Sequence, residues 1–194
     1  MADTKKSHHE LKRAKKALGA FGAASSLDEA EDAWLELLSR IERCWFKLQP
    51  VLQQGGPFQA IRSESGRLRK RDPLLAYMQQ ARHADEHGIA DVSERRARSV
   101  TFDPLEKGGR VVIHSMRTDE TGMPKDIVAG PAKITFRPAR LELVPVTNRG
   151  CTSEVPAEHL GSALSATTAA VVGGEAVNYY EGLLRDVDGI NDGA

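Results

Sequence analysis

A chain of 194 residues, 40% hydrophobic and 28% charged, can bury one core with at most an appendage and is too short for two large domains. Its 27 Lys+Arg balance its 27 Asp+Glu, which excludes a generally polybasic nucleic-acid binder, and no apolar run has the length of a membrane span. Cys44 and Cys151 form neither a disulfide framework nor a CxxC metal spacing, and the N-terminal lysines precede no secretory apolar region, so a cytoplasmic protein without a membrane partner is expected.

The charge is unevenly spread. Met1 to Ser99 carries 18 basic and 14 acidic residues, and Val100 to Ala194 carries 9 and 13, so the basic excess lies in the first half. Residues 1–25 hold Lys5, Lys6, Lys12, Arg13, Lys15 and Lys16 but only Leu11, Leu18 and Phe21 as sizeable apolar groups. They read as a basic tail or a short amphipathic helix, with the domain proper at 26–194. Ser26 and Glu29 have the spacing of a capping box. The helix they open carries Ala30, Trp34, Leu38, Ile41, Trp45 and Leu48 along one stripe, with Leu37 and Cys44 beside it. Glu31, Asp32, Arg40, Glu42 and Arg43 are assigned to the opposite side, and Gly55-Gly56-Pro57 should stop the helix near Gln54.

The segment 58–71 offers Phe58, Ile61 and Leu68 as anchors and ends in the basic run Arg67, Arg69, Lys70, Arg71. A second run, Arg95, Arg96 and Arg98, follows the next helix. These runs read as solvated connections or as contacts to RNA phosphate. Between them, Asp72 to Gly88 is a helix with both ends written in: Asp72 as N-cap, Pro73 at the first position, Gly88 as the left-handed terminator. Leu74, Met78 and Ala81 form its apolar stripe, flanked by Leu75 and Tyr77. Asp85 is expected to continue that stripe with Arg82 at its border, a half-buried charge pair that needs a reason.

From Ser99 the texture is β, with strands expected at 99–102, 110–116, 132–136 and 140–146, separated by Gly108-Gly109, Thr121-Gly122 and Arg137-Pro138. His159 precedes a last helix expected from Ser162 to Asp186, interrupted by Gly173-Gly174, which mark close packing or a kink. The fold class is mainly α with a β insert (α+β): an antiparallel helical bundle with a small antiparallel sheet or hairpins at about 99–155.

The polar end of the Asp72–Gly88 helix supports two motif readings. His83-x-x-Glu86-His87 has the spacing of inverted zinc peptidases, in which two histidines at i and i+4 bind metal and the glutamate is the base. No clear third ligand follows, and the favoured reading has no metal and no cofactor. That reading is Arg82-His83-x-x-x-His87, which resembles the Arg-polar-x-x-x-His signature of the HEPN superfamily (higher eukaryotes and prokaryotes nucleotide-binding). The residue after the arginine in that family is most often asparagine, with histidine or aspartate also used. The resemblance covers the helical parts and not the segment from about Ser99 to Val155. It implies a helical bundle and a metal-independent endoribonuclease whose site forms at a homodimer cleft. It also implies His87 as acid or base, Arg82 as phosphate clamp, and His83 and Asp85 as orienting groups. RNA and a second copy are then the expected partners, with an antitoxin or other protein partner in a defence role as a further expectation. A non-catalytic RNA- or nucleotide-binding module of the same build is the alternative. On an ideal helix Arg82 and His87 lie about 140° apart, which suits pooling across a two-fold axis better than action from one helix.

Overall fold

The N-terminal cap at Ser26 starts the central helix α2, Leu27–Leu52. Ser26 Oγ accepts the Glu29 N–H at 3.1 Å, and Glu29 Oε2 accepts from the Ser25 N–H and Oγ at 2.8 Å. The reciprocal arm of the capping box is therefore made one residue earlier than the pattern predicts. In this computed structural model, which describes residues 3–192 except 121, 123 and 149, α2 is the element that the other helices surround. Trp34, Leu37, Leu38, Ile41, Cys44 and Leu48 are buried along it, Trp45 is half-buried, and burial pushes the Cys44 thiol up to about 12. Arg40 and Glu42, expected on the solvent side, are buried as well. Each is admitted to the interior by a partner of opposite charge, since an unpaired charge there would be prohibitive.

The basic N-terminal segment is a full helix, α1, Lys5–Ala23, and not a tail. Ser7, Leu11, Ala14 and Ala17 recur at helical spacing and are buried, while the lysines point outward. Arg40 fastens α1 to α2, reaching Glu10 at 2.9 Å and Glu36 at 2.7 Å. Two further helices, α3 (Phe58–Arg71) and α4 (Pro73–Glu86), follow. The closing helix α5 runs over Ala169–Asp192 and starts seven residues later than the sequence suggests, because residues 158–163 form a tight hairpin. Asp188 of α5 takes hydrogen bonds from Thr4 Oγ1 and His8 Nε2, both at 2.7 Å, completing the attachment of α1.

Gly173 and Gly174 do not break α5. A Cβ at Gly173 would lie 2.6 Å from Leu37 Cδ2 and 3.2 Å from Leu18 Cδ1, whereas one at Gly174 would meet nothing within 4 Å. Gly173→Ala should therefore lower the melting temperature, because overpacking at the fully buried Leu37 costs about 1–3 kcal/mol against a helix-propensity gain of about 1 kcal/mol. Gly174→Ala should raise it. Thermal unfolding of the two variants side by side checks the opposite signs.

The chain divides into two compact units, one comprising 1–94 with 141–194, the other Arg95–Arg140. The division falls at strands β1 (Ser93–Arg96) and β6 (Arg140–Leu143), which are hydrogen-bonded neighbours. The second unit is a long two-stranded ribbon. The chain runs out along β2 (Ser99–Pro104) and β3 (Ile113–Thr118) and returns along β4 (Pro124–Ala129) and β5 (Ala132–Arg137). Strands β2 and β5 pair antiparallel from Ser99↔Arg137 to Pro104↔Ala132, and β3 pairs β4 with two register shifts. Thr121 of the expected Thr121-Gly122 turn lies outside the described residues.

The β insert read as 99–155 is thus two things. After β6 the chain belongs to the helical unit, where β7 (Val146–Asn148) pairs β8 (Cys151–Ser153) and β9 (Glu158–His159) pairs β10 (Ser162–Ala163). The strand expected at 140–146 breaks at Val144-Pro145, where proline cannot donate to a ladder. Among the described residues, no helix is long and apolar enough to cross a membrane.

Candidate functional site at the C-terminal end of α4

Both ends of α4 form as the sequence predicts. Asp72 accepts the Leu75 N–H at 3.0 Å with Pro73 at the first position. At the other end Gly88 adopts φ +57°, its N–H donates to Asp85 O at 3.1 Å and the Ile89 N–H donates to Ala84 O at 2.9 Å, which is a Schellman closure. Leu74, Leu75, Tyr77, Met78, Ala81 and Ala84 are buried. The expectation for Asp85 is corrected here: Ala84 continues the stripe by a step of three, and Asp85 is turned out to the surface.

Arg82 is half-buried and pairs one turn ahead with Glu86, Nη2 to Oε1 at 2.7 Å, rather than with Asp85. The protein around the Asp85 carboxyl, together with the Glu86 and Glu31 charges, pushes its pKa up despite Arg82. Among the described residues Asp85 shows no hydrogen bond or ion pair with His83 or His87, and a different residue meets the His83 ring. That residue is Asn148, whose Nδ2 lies 3.0 Å from His83 Nδ1 and 3.0 Å from Gln80 Oε1. With the amide as donor, His83 Nδ1 accepts and the ring carries its proton on Nε2. Asn148 Oδ1 remains buried and without a hydrogen-bond partner.

Asn148 reaches α4 because its strand is fixed there. Val146 is fully buried, the Tyr77 hydroxyl donates to Val144 O at 3.0 Å, and the Thr147 and Thr152 hydroxyls meet at 2.9 Å across β7 and β8. His87 is the C-cap residue of α4 and is exposed. Its ring centroid lies 4.4 Å from that of His83, at 53° between planes. The site is therefore two adjacent imidazoles, one held by Asn148 and one exposed, beside a guanidinium.

The basic run at 67–71 does not form one surface. Arg69 points inward, with its Nη2 at 2.7 and 2.9 Å from the two Glu42 oxygens, its Nη1 bonded to the Tyr180 hydroxyl and its guanidinium 4.6 Å from the Trp45 ring centroid. It is thus unavailable to phosphate, which corrects that part of the phosphate-contact expectation. Arg67 is exposed and bound to Glu64 at 2.6 Å, while Lys70 and Arg71 are exposed. Arg95 and Arg96 end β1 and belong to the ribbon unit. For the zinc reading, Glu86 is engaged by Arg82, and no group of three His, Cys, Asp or Glu side chains suited to a metal converges among the described residues.

At the opposite end of α4, Asp72 does more than cap. Its carboxylate also receives the Leu160 N–H at 2.7 Å and faces His159 Nδ1 at 2.9 Å. Burial pushes the Asp72 carboxyl up, but the hydrogen bonds from Leu160, Leu75 and His159 outweigh it and hold it below the ordinary carboxylate range. A folded-state pKa below the unfolded one adds stability that is complete above the unfolded value, near pH 4, and is lost as the pH falls through the folded one. The stability gap between wild type and Asp72→Asn should accordingly be widest above about pH 5 and shrink below about pH 4. Urea titrations at several pH values check this.

Comparison of the chain with protein-family models, with curated proteins and with solved structures gives no match.

Proposed function

We propose that this chain is a metal-independent endoribonuclease of HEPN type that acts as a homodimer, with the C-terminal ends of two α4 helices facing each other across the cleft that holds the sites. The observation that carries the reading is the cluster at that helix end: exposed His87, its ring 4.4 Å from His83, with Arg82 one turn back. Side-chain chemistry fits the reaction. A neutral imidazole takes the proton of a ribose 2′-hydroxyl as its oxygen bonds to phosphorus. The P–O5′ bond breaks, and an imidazolium returns a proton to the leaving 5′-oxygen. Arg82 balances the charge growing on the phosphoryl oxygens. Its bond to Glu86 is an exposed i,i+4 pair of the weak kind, which a phosphodiester can displace.

His87 is assigned as acid or base, Arg82 as the phosphate clamp and His83, held by Asn148, as the orienting imidazole. On an ideal helix Arg82 and His87 lie about 140° apart, so each site pools Arg82 of one copy with His87 of the other across a two-fold axis. Neutral bulk composition is compatible with a local contact to RNA phosphate.

The shared site is tested by mixing. Arg82→Ala and His87→Ala are each expected to be inactive alone. After unfolding and refolding together, mixed dimers should regain a fraction of the wild-type RNA cleavage, because one of the two composite sites is intact. Cleavage that stays absent in verified mixed dimers contradicts the pooled site. Cleavage absent from wild type as well favours the alternative, a binding module of the same build.

A further inference from the structure

The helical unit contains a cleft of about 640 Å³ between α3, α5 and the β9–β10 turn, away from the α4 histidines. Its floor is apolar: Ile61 and Leu68 from α3, Tyr179 and Leu183 from α5, and Leu160 from the turn. A volume of this order is that of a small-molecule site and not of a macromolecular groove. The cleft is bounded at one side by His159, whose position at the N-terminal end of α4 puts it roughly 21 Å from the motif end of that 14-residue helix.

His159 is an unusual wall. It is nine-tenths buried, and its Nδ1 faces the Asp72 carboxylate at 2.9 Å. An ionised carboxylate only accepts, so Nδ1 carries a proton, and in the neutral form of the ring Nε2 is left as an acceptor. That nitrogen has no hydrogen-bond partner among the described residues, although His159 lines the cleft. Tyr179 meets the ring edge to face at 5.8 Å and fixes its plane. The turn behind it is strained: Leu160 has φ +50° and is followed by Gly161 at φ +78°. Leucine rarely adopts that conformation, and the Asp72 bond to the Leu160 N–H holds it there. The result is an oriented imidazole on a largely buried residue beside an apolar floor, with an exposed leucine projecting at the rim.

The charge around the cleft has one sign. Glu64, Glu175 and Asp186 line it, and no lysine or arginine does. Glu64 is neutralised by Arg67 at 2.6 Å, whereas Glu175 and Asp186 show no ion pair among the described residues. An anion entering here would meet carboxylates on an apolar surface, where repulsion is least screened. A cation with a hydrocarbon body meets the reverse.

We infer that this cleft binds a small amphiphilic cation, an alkyl- or arylalkyl-ammonium. Its tail lies on the Ile61, Leu68 and Leu183 floor, its charge faces Glu175 and Asp186, and one N–H donates to His159 Nε2. The inference is independent of the RNA-cleavage reading, since it uses none of the same residues.

Calorimetric titration of the full chain with octylammonium chloride and with sodium octanoate tests it, since the two probes share a tail and differ in charge. One saturable octylammonium site per chain is expected, with octanoate at least tenfold weaker. The surface pair Glu175→Gln/Asp186→Asn leaves the core untouched and should weaken octylammonium at least tenfold. His159→Gln, which keeps a polar side chain at that position, should weaken it as well while circular dichroism confirms the fold. Octanoate binding as tightly as octylammonium, affinity unmoved by Glu175→Gln/Asp186→Asn, or no saturable octylammonium binding would each overturn the proposal.

Discussion

Arg69→Ala is expected to destabilise the protein by about 3–5 kcal/mol, the range for breaking a buried ion pair from one side. That is a large part of the 5–15 kcal/mol typical of a folded domain, roughly enough to unfold a marginal one. Arg69 and Glu42 have side chains only 5% and 7% exposed, so removing the guanidinium leaves a carboxylate with neither water nor partner. The Tyr180 hydroxyl loses its donor at the same time, and Trp45 loses the cation stacked on it. Replacing both charges, as in Arg69→Met with Glu42→Leu, should recover most of the loss, because the desolvation penalty disappears with them. Arg67→Ala, at an exposed pair in the same basic run, should leave the denaturation midpoint unchanged. Urea midpoints for the four proteins separate an interior role for Arg69 from a surface one.

His87→Ala should lower RNA cleavage by roughly 10²- to 10⁴-fold, the contribution of a positioned acid or base. The side chain is exposed at a C-cap position, so the loss should occur with little change in stability. Asn148→Ala is the informative companion. It releases His83 without touching the reacting groups, and its effect should fall on kcat and not on KM if His83 orients the site. Single-turnover kinetics on a defined RNA, with thermal unfolding of each variant, checks both statements.

The caps were the most legible part of the fold. Ser26, Asp72, Pro73 and Gly88 act through local backbone chemistry, which sequence spacing encodes directly. The motif helix and its two histidines were legible for the same reason. The basic residues were not, because a run of charges in sequence is not a patch on a helix. At 100° per residue Arg69 leaves the face of Arg67 and joins that of Phe58 and Ser65, which is the buried one. For residues 1–25 composition leaves a tail and a short amphipathic helix both open, and the helix is what forms. Ser7, Ala14 and Ala17 are small and weakly apolar, yet their spacing lets α1 lie close on α2. Contacts between distant segments left no local trace. Nothing near Gln80 or His83 announces Asn148, and nothing near Asp72 announces Leu160. The break at Val144-Pro145 could have been read from the proline, and it is the bend that delivers Asn148 to α4.

The most direct measurement is incubation of the purified chain with mixed-sequence single-stranded RNA in excess chelator, with His87→Ala beside it. The proposal predicts fragments ending in 2′,3′-cyclic phosphate and 5′-hydroxyl groups from the wild type and intact RNA from the variant. Cleavage abolished by the chelator, or equal cleavage by the two proteins, contradicts it.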